Sequence, residues 1–305
     1  MINPRPWLSR ILARETRFSS FVGGRLPKAL MLLFLGFAMT NLSQAAEETM
    51  AERSLKRIVE RQRELLALAV RQGDNLDEGS FKTQMQSVVH EYELLLRENP
   101  KFAAAFAAYG YLLGKVDMRK EAVTMLLKAN ELDPDIPLVK NQLGAFLAEE
   151  GKPLQAAQYF LAAIKLEPSE PLYHYQLGTL LSEARDDFLK SGEWTRAAVE
   201  KAMHHAFQRA SELAPDRFEF TYRYAESFYD LDKPDWDAAL KIWGDLEDKA
   251  TTAIERQTMR LHAANVLLKQ GRIDHARALM QTVDEAKLQS QKEKLVAQLA
   301  EMTKK

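Results

Sequence analysis

Three prolines, Pro100, Pro134 and Pro168, stand 34 residues apart. Gly110, Gly144 and Gly178 keep that spacing, and so do Leu113, Leu147 and Leu181. The pairs Ala122/Ala156, Ala129/Ala163 and Pro137/Pro171 fall in the same phase. Six coincident series over about 80 residues define a repeat: one small unit recurs, and each copy buries its apolar face on its neighbours. The 13 glycines and 11 prolines in 305 residues argue against a turn-dense all-β, collagen-like or low-complexity chain.

The residue types explain the period. Around Gly110, the apolar Phe106, Tyr109 and Leu113 recur with helical spacing, as do Val123, Leu126 and Leu127 around Ala122. Two short amphipathic helices therefore join near Lys115–Met118. Where two helices cross closely, a large side chain holds the backbones apart, so the crossing selects Gly110, Gly144 and Gly178 on one helix and Ala122 and Ala156 on the other. Leu143, Leu147 and Phe160 fill the space beside it. Each closing proline ends the second helix and turns the chain into the next pair; Pro215 does this for the third unit.

These residues resemble the tetratricopeptide-repeat family. The match is close from Pro137 to Glu170, with Leu143-Gly144, Leu147, Gly151, Ala156, Phe160, Ala163 and Pro168 in consensus places. It is nearly as close from Ala103 to Ile136, where Asp117 replaces the usual turn glycine. The third unit starts at Pro171 and closes at Pro215, 47 residues after Pro168. Its extra residues lie near 182–194 and are expected to lengthen one or both helices. A fourth unit runs from Phe218, with Ala225 in place of glycine and two extra residues near Pro234. A fifth, short one spans about Gln257 to Asp284. Helices are expected over Met50–Gln72, Ser80–Glu98 and Lys287–Met302. The resemblance implies an all-α fold, a right-handed α-solenoid of about five to six antiparallel helix pairs with a capping helix at its C-terminal end.

The chain begins with a different kind of segment. Residues 1–45 carry Arg5, Arg10, Arg14, Arg17, Arg25 and Lys28 against Glu15 alone, followed by the apolar run Ala29–Met39. A basic start, a short apolar run and the small residues Ser43 and Ala45 match a secretory signal peptide with cleavage before Ala46. The run is shorter than the roughly 20 apolar residues of a spanning helix; the alternative is an uncleaved anchor. The chain thus divides into 1–45, the export segment; 46–102, an N-terminal helical pair and degenerate repeat; 103–284, the repeat array with its insertion near 182–194; and 285–305, the capping helix. Export without a single cysteine suits a bacterial envelope protein, periplasmic or envelope-associated.

No constellation of catalytic residues stands out, so the chain is read as a non-enzyme without cofactor or metal. The missing cysteines exclude disulfides, thiol catalysis and Cys-ligated metals. There is no Gly-x-Ser-x-Gly elbow and no phosphate-cradling glycine loop. His204 and His205 are adjacent, and neighbours on a helix point about 100° apart, too far to share a metal easily. The acidic run Asp230–Asp237 has Pro234, Asp235 and Lys241 where a calcium loop needs an acid, glycine and glutamate; Asp235 or Asp237 reads instead as a helix cap. The whole chain carries a net charge of −1, which the basic start leaves at −6 over 46–305, and this gives no footprint for nucleic acid.

Binding is the remaining class. In the family it resembles, inner-face residues one turn apart on the first helices line a concave groove. Here these are Ala107 and Tyr111, Asn141 and Ala145, Tyr175 and Thr179, Tyr222 and Glu226, and Leu261 and Asn265. The set Tyr111, Asn141, Tyr175, Thr179, Tyr222, Glu226 and Asn265 is expected to take an extended peptide or a protein partner, with self-association through the end helices also open. Tyrosine gives wide contact at low entropy cost and asparagine pairs with peptide backbone in both senses; the same tyrosines could alternatively pack against neighbouring helices. The family's carboxylate clamp of lysines and asparagines is represented only by Asn141, so that ligand is not expected. A regulatory or enzymatic use of the 182–194 insertion is the alternative reading.

Overall fold

The computed structural model describes residues 49–303, and these form two compact units that part between Gly151 and Lys152. Residues 1–45, read from the sequence as an export segment, lie outside the described residues. Among those described there are fourteen α-helices and no strand, so the chain is all-α and of the α-solenoid class. The boundary falls inside the best-matching repeat, at a place the 34-residue period does not mark.

The first unit opens with α1 (Met50–Gln72) and α2 (Glu78–Glu98). Thr49 and Glu52 form a capping box, the Thr49 hydroxyl accepting from the Glu52 amide while the Glu52 carboxylate accepts from the Thr49 amide. Asp77 caps α2 by accepting from the Gly79 and Ser80 amides. Leu55, Ile58, Leu65, Leu66 and Ala69 recur at helical spacing and bury along α1; Phe81, Met85, Val88, Tyr92 and Leu95 do so along α2. Within this layer the Tyr92 hydroxyl donates to the Gln62 side chain at 2.8 Å, which satisfies a phenol that is completely buried.

Helices α3 (Ala103–Lys115) and α4 (Arg119–Leu132) are the first full repeat, and α5 (Pro137–Glu149) follows. Gly110 lies at the close crossing the sequence calls for. A Cβ there would stand 2.8 Å from Leu126 Cγ and 3.2 Å from the Ala122 carbonyl oxygen. Ala122, Leu126 and Ala129 on α4 are completely buried. Pro100 and Pro134 each sit two residues beyond a helix end, and Pro137 occupies the first turn of α5 where its missing N–H costs nothing.

The turn between α3 and α4 holds the departure at Asp117. Its φ is 63°, the left-handed region that glycine adopts at Gly151 (71°) and Gly271 (72°) in the corresponding turns. A side chain there costs roughly 1–2 kcal/mol against glycine, less for Asp, which tolerates the region. Asp117→Gly is therefore expected to stabilise the first unit by about 1 kcal/mol, seen as a higher melting temperature; a lower one would mean that Asp117 makes a contact worth more than the backbone strain.

The second unit starts with α6 (Pro153–Leu166), then α7 (Pro171–Glu183), α8 (Arg185–Lys190) and α9 (Arg196–Leu213). The crossing of α7 and α9 repeats that of α3 and α4: a Cβ on Gly178 would lie 2.8 Å from the Phe207 ring. The insertion takes a form the sequence reading did not foresee. It adds a separate short helix, α8, as well as lengthening the second helix of the pair to the 18 residues of α9. Phe188 anchors α8, 1% exposed, with Trp194 edge-on to it at 5.6 Å. Arg185 pairs with Asp230 at 2.7 Å and reaches Glu200, which Arg196 also faces.

Helices α10 (Phe218–Ser227) and α11 (Trp236–Lys249) make the fourth pair, separated by a tight turn at Phe228–Asp230. Asp235 caps α11 by accepting from the Ala238 amide, so the acidic run is a helix start. The fifth pair, α12 (Ala253–Lys269) and α13 (Ile273–Gln281), begins earlier than its period suggests because Thr252 and Glu255 form a second capping box. A final helix, α14 (Gln289–Met302), lays Leu299 onto the core that includes Leu261, Leu268 and Met280.

Candidate protein-binding face

The expected groove residues fall on both units. In the first, Tyr111 is partly exposed on α3, with the Lys115 ammonium 5.4 Å from its ring centre. Asn141 on α5 is completely buried, and neither atom of its amide has a hydrogen-bond partner. It is not an open contact for a peptide backbone, which corrects the sequence expectation.

In the second unit the first helices α7, α10 and α12 carry the other five residues. Tyr175 is 7% exposed; its ring lies 4.7 Å from Phe220 and 5.8 Å edge-on to Phe207. Burial pushes its hydroxyl up to about 12. Tyr222 is 8% exposed, edge-on to Trp243 at 5.3 Å and to His262 at 5.6 Å, and its hydroxyl meets His262 Nε2 at 3.0 Å. Both tyrosines thus belong to packing. A tyrosine at this place is long enough to reach the next pair of helices, and it meets an aromatic there: Phe220 for Tyr175 and His262 for Tyr222, which also packs on Trp243 of its own pair. The burial of Tyr175 and Tyr222 removes them from an open wall.

Three of these five remain partly exposed: Thr179, Glu226 and Asn265. The Thr179 hydroxyl donates to the Tyr175 carbonyl at 2.9 Å, a bond within its own helix. Glu226 accepts from Arg223 at 2.6 Å, and the same guanidinium donates to Ser182 at 3.2 Å and lies over the Phe207 ring. Asn265 lies near the hydroxyl of Tyr229, which donates to the His262 carbonyl. Reading by period found these positions, and Trp243 within the fourth unit, but missed Phe220 and His262, whose importance comes from packing between pairs. The one visible hint was the density of aromatics from Phe218 to Trp243.

Between α7, α9 and α10 lies a cavity of about 30 Å³ lined by Ser182, Met203, Phe207, Arg223, Glu226, Ser227 and Asp230. It has room for a water and falls far short of a small-molecule site, which typically needs about 300 Å³ or more. Two of the histidines are likewise engaged. His174 bonds the Pro168 carbonyl at 2.9 Å and His204 bonds Ser227 at 2.8 Å, and burial pushes both imidazoles below the ordinary value. Among the described residues no three His, Asp or Glu side chains come together to hold a metal, and no helix is long and apolar enough to cross a membrane.

Solved structures share this arrangement of helices. The Pseudomonas aeruginosa protein PilF superposes with a TM-score of 0.54 at 14% identity, over 76% of this chain and 91% of that one. YrrB, described as a TPR protein with an unusual peptide-binding site, gives 0.52 at 17% identity over 62% of this chain and 89% of that one. The fold is that of the tetratricopeptide-repeat proteins. PilW, a type IV pilus biogenesis factor, matches at 0.50 and 14% identity over 81% of this chain and 94% of its own. No family model and no curated protein matches the sequence. The repeat residues explain how the fold survives such divergence. Gly110, Ala122, Ala156 and Gly178 must stay small for the helices to approach, and the closing prolines must interrupt them; the surface is free to change.

Proposed function

We propose that this chain is an exported, non-catalytic repeat scaffold of the bacterial envelope, holding a peptide or partner protein against its first helices. The observation that carries the reading is the tetratricopeptide fold with Thr179, Glu226 and Asn265 partly exposed on its first helices α7, α10 and α12. Repeat proteins of this kind use stacked first helices as an extended binding surface. One neighbour is described as peptide-binding and another as a pilus biogenesis factor, which favours a protein partner and an envelope setting. The basic and apolar pattern of residues 1–45 is the support for export. The inward residues of the insertion, Arg185 and Phe188, are engaged in packing, so the proposal places no chemistry there.

Crosslinking in intact cells followed by purification from the envelope fraction tests this. The double substitution Thr179→Lys and Asn265→Lys adds length and charge to partly exposed places. It is expected to reduce partner capture at least tenfold with melting changed by no more than about 1 kcal/mol. Undiminished capture would move binding off this face, and capture of nothing specific by the native chain would overturn the scaffold reading.

A further inference from the structure

His262 occupies the joint between the fourth and fifth helix pairs. Its ring lies parallel to Trp243 of α11 at 4.1 Å and 8°. Tyr222 of α10 stands edge-on to it with a hydroxyl–Nε2 distance of 3.0 Å, and Tyr229 from the turn after α10 lies at 6.2 Å. The Glu226 carboxylate lies near the Tyr222 hydroxyl and is paired with Arg223. A chain of contacts therefore runs from Arg223 and Glu226 on the exposed face, through Tyr222, to an imidazole set between three aromatic rings.

We infer that His262 is an acid-sensitive catch that holds α10 and α11 against α12 while neutral and loosens this joint when protonated. The titratable groups that face it are Tyr222 and Tyr229, both uncharged, with Glu226 further away behind Tyr222; Trp243 from α11 and Asn265 on α12 carry no charge. A protonated ring is a donor at both nitrogens, so a contact in which Nε2 accepts from the Tyr222 hydroxyl must reverse its direction. It also places a charge among apolar rings, and the face of Trp243 offsets only part of that cost. Burial pushes the imidazole down to about 4, well under the ordinary value of about 6.5. The sign follows: the unfolded or opened form takes up the proton first as pH falls below about 6.5, and the packed form is disfavoured progressively until about pH 4. Each pH unit in that window shifts the opening equilibrium by up to tenfold, about 300-fold over the whole of it. That such loosening would free a bound partner rests on the scaffold reading; the catch itself does not.

The test needs no partner. In the intact chain, NMR gives the titration midpoint of His262, and hydrogen exchange corrected for intrinsic rates gives the opening of α12 between pH 7 and pH 4. The expected midpoint lies below pH 5.5, and α12 protection falls by two orders of magnitude or more. His262→Gln, which keeps a hydrogen-bonding group for Tyr222 and does not titrate, is expected to flatten that fall even though His174 and His204 remain. A midpoint near 6.5, or an equal fall in the Gln variant, would overturn the proposal. Should the variant fail to fold, the midpoint in the native chain decides alone. Failure here leaves the scaffold reading standing, since partner capture at neutral pH is measured separately.

Discussion

Gly110→Leu is expected to destabilise the first unit by about 3 kcal/mol, at the upper end of the range for overpacking a close contact. The Cβ alone would stand 2.8 Å from Leu126 Cγ and 3.2 Å from the Ala122 carbonyl oxygen. Leu126 could turn aside, but the carbonyl belongs to the backbone of α4 and moves only with the helix. The helix has little room to shift, because Ala122, Leu126 and Ala129 on it are all completely buried. Thermal melting of the first unit reads the effect. Gly244 on α11 supplies the control, since no atom stands within 4 Å of a Cβ built there. Gly244→Ala should raise stability by about 0.5–1 kcal/mol through helix propensity alone. If Gly110→Leu melts like the native protein, the α3–α4 crossing is not as close as described.

Tyr175→Ala and Tyr222→Ala are each expected to cost about 3–5 kcal/mol of stability, the range for large buried aromatics. Tyr175 loses its contact with Phe220 and Phe207; Tyr222 loses Trp243 and His262 and leaves His262 Nε2 without its partner. The phenylalanine variants separate ring from hydroxyl. Tyr222→Phe removes one buried hydrogen bond, and Tyr175→Phe changes only the surroundings of its hydroxyl while keeping the ring contacts; each should cost about 1 kcal/mol. Denaturation of the second unit checks all four. Should the alanine variants keep native stability and lose only partner capture, the two tyrosines would be anchors of an open groove, and the packing assigned to them would be wrong.

Much of this architecture is written along the chain. The residue types that start and stop helices act through bonds to residues three or four places away. Pro100, Pro134, Pro168 and Pro215 each stand two residues past a helix end, Asp235 caps α11, and Asp117 takes the left-handed turn of the glycine it replaces. The small residues at the crossings are equally legible, because Gly110 and Ala122 recur with the period that brings them together. Those features follow from local geometry and needed no coordinates.

The fate of the expected binding residues did not. Tyr175 is buried by Phe220, 45 residues on and beyond an insertion; Tyr222 is buried by His262, 40 residues on. The period says which side of a helix a residue occupies, but not whether the next pair lies near enough to cover it. The answer depends on how α8 and the lengthened α9 set the spacing of α7 and α10, and on the turn at Phe228–Asp230 that brings Trp243 over His262. The sequence by itself determined the helices, their pairing and their close crossings, since each depends on neighbours at fixed separations. Only the tertiary structure decided which inner-face side chains stay exposed, because burial is set by the packing of one pair on the next.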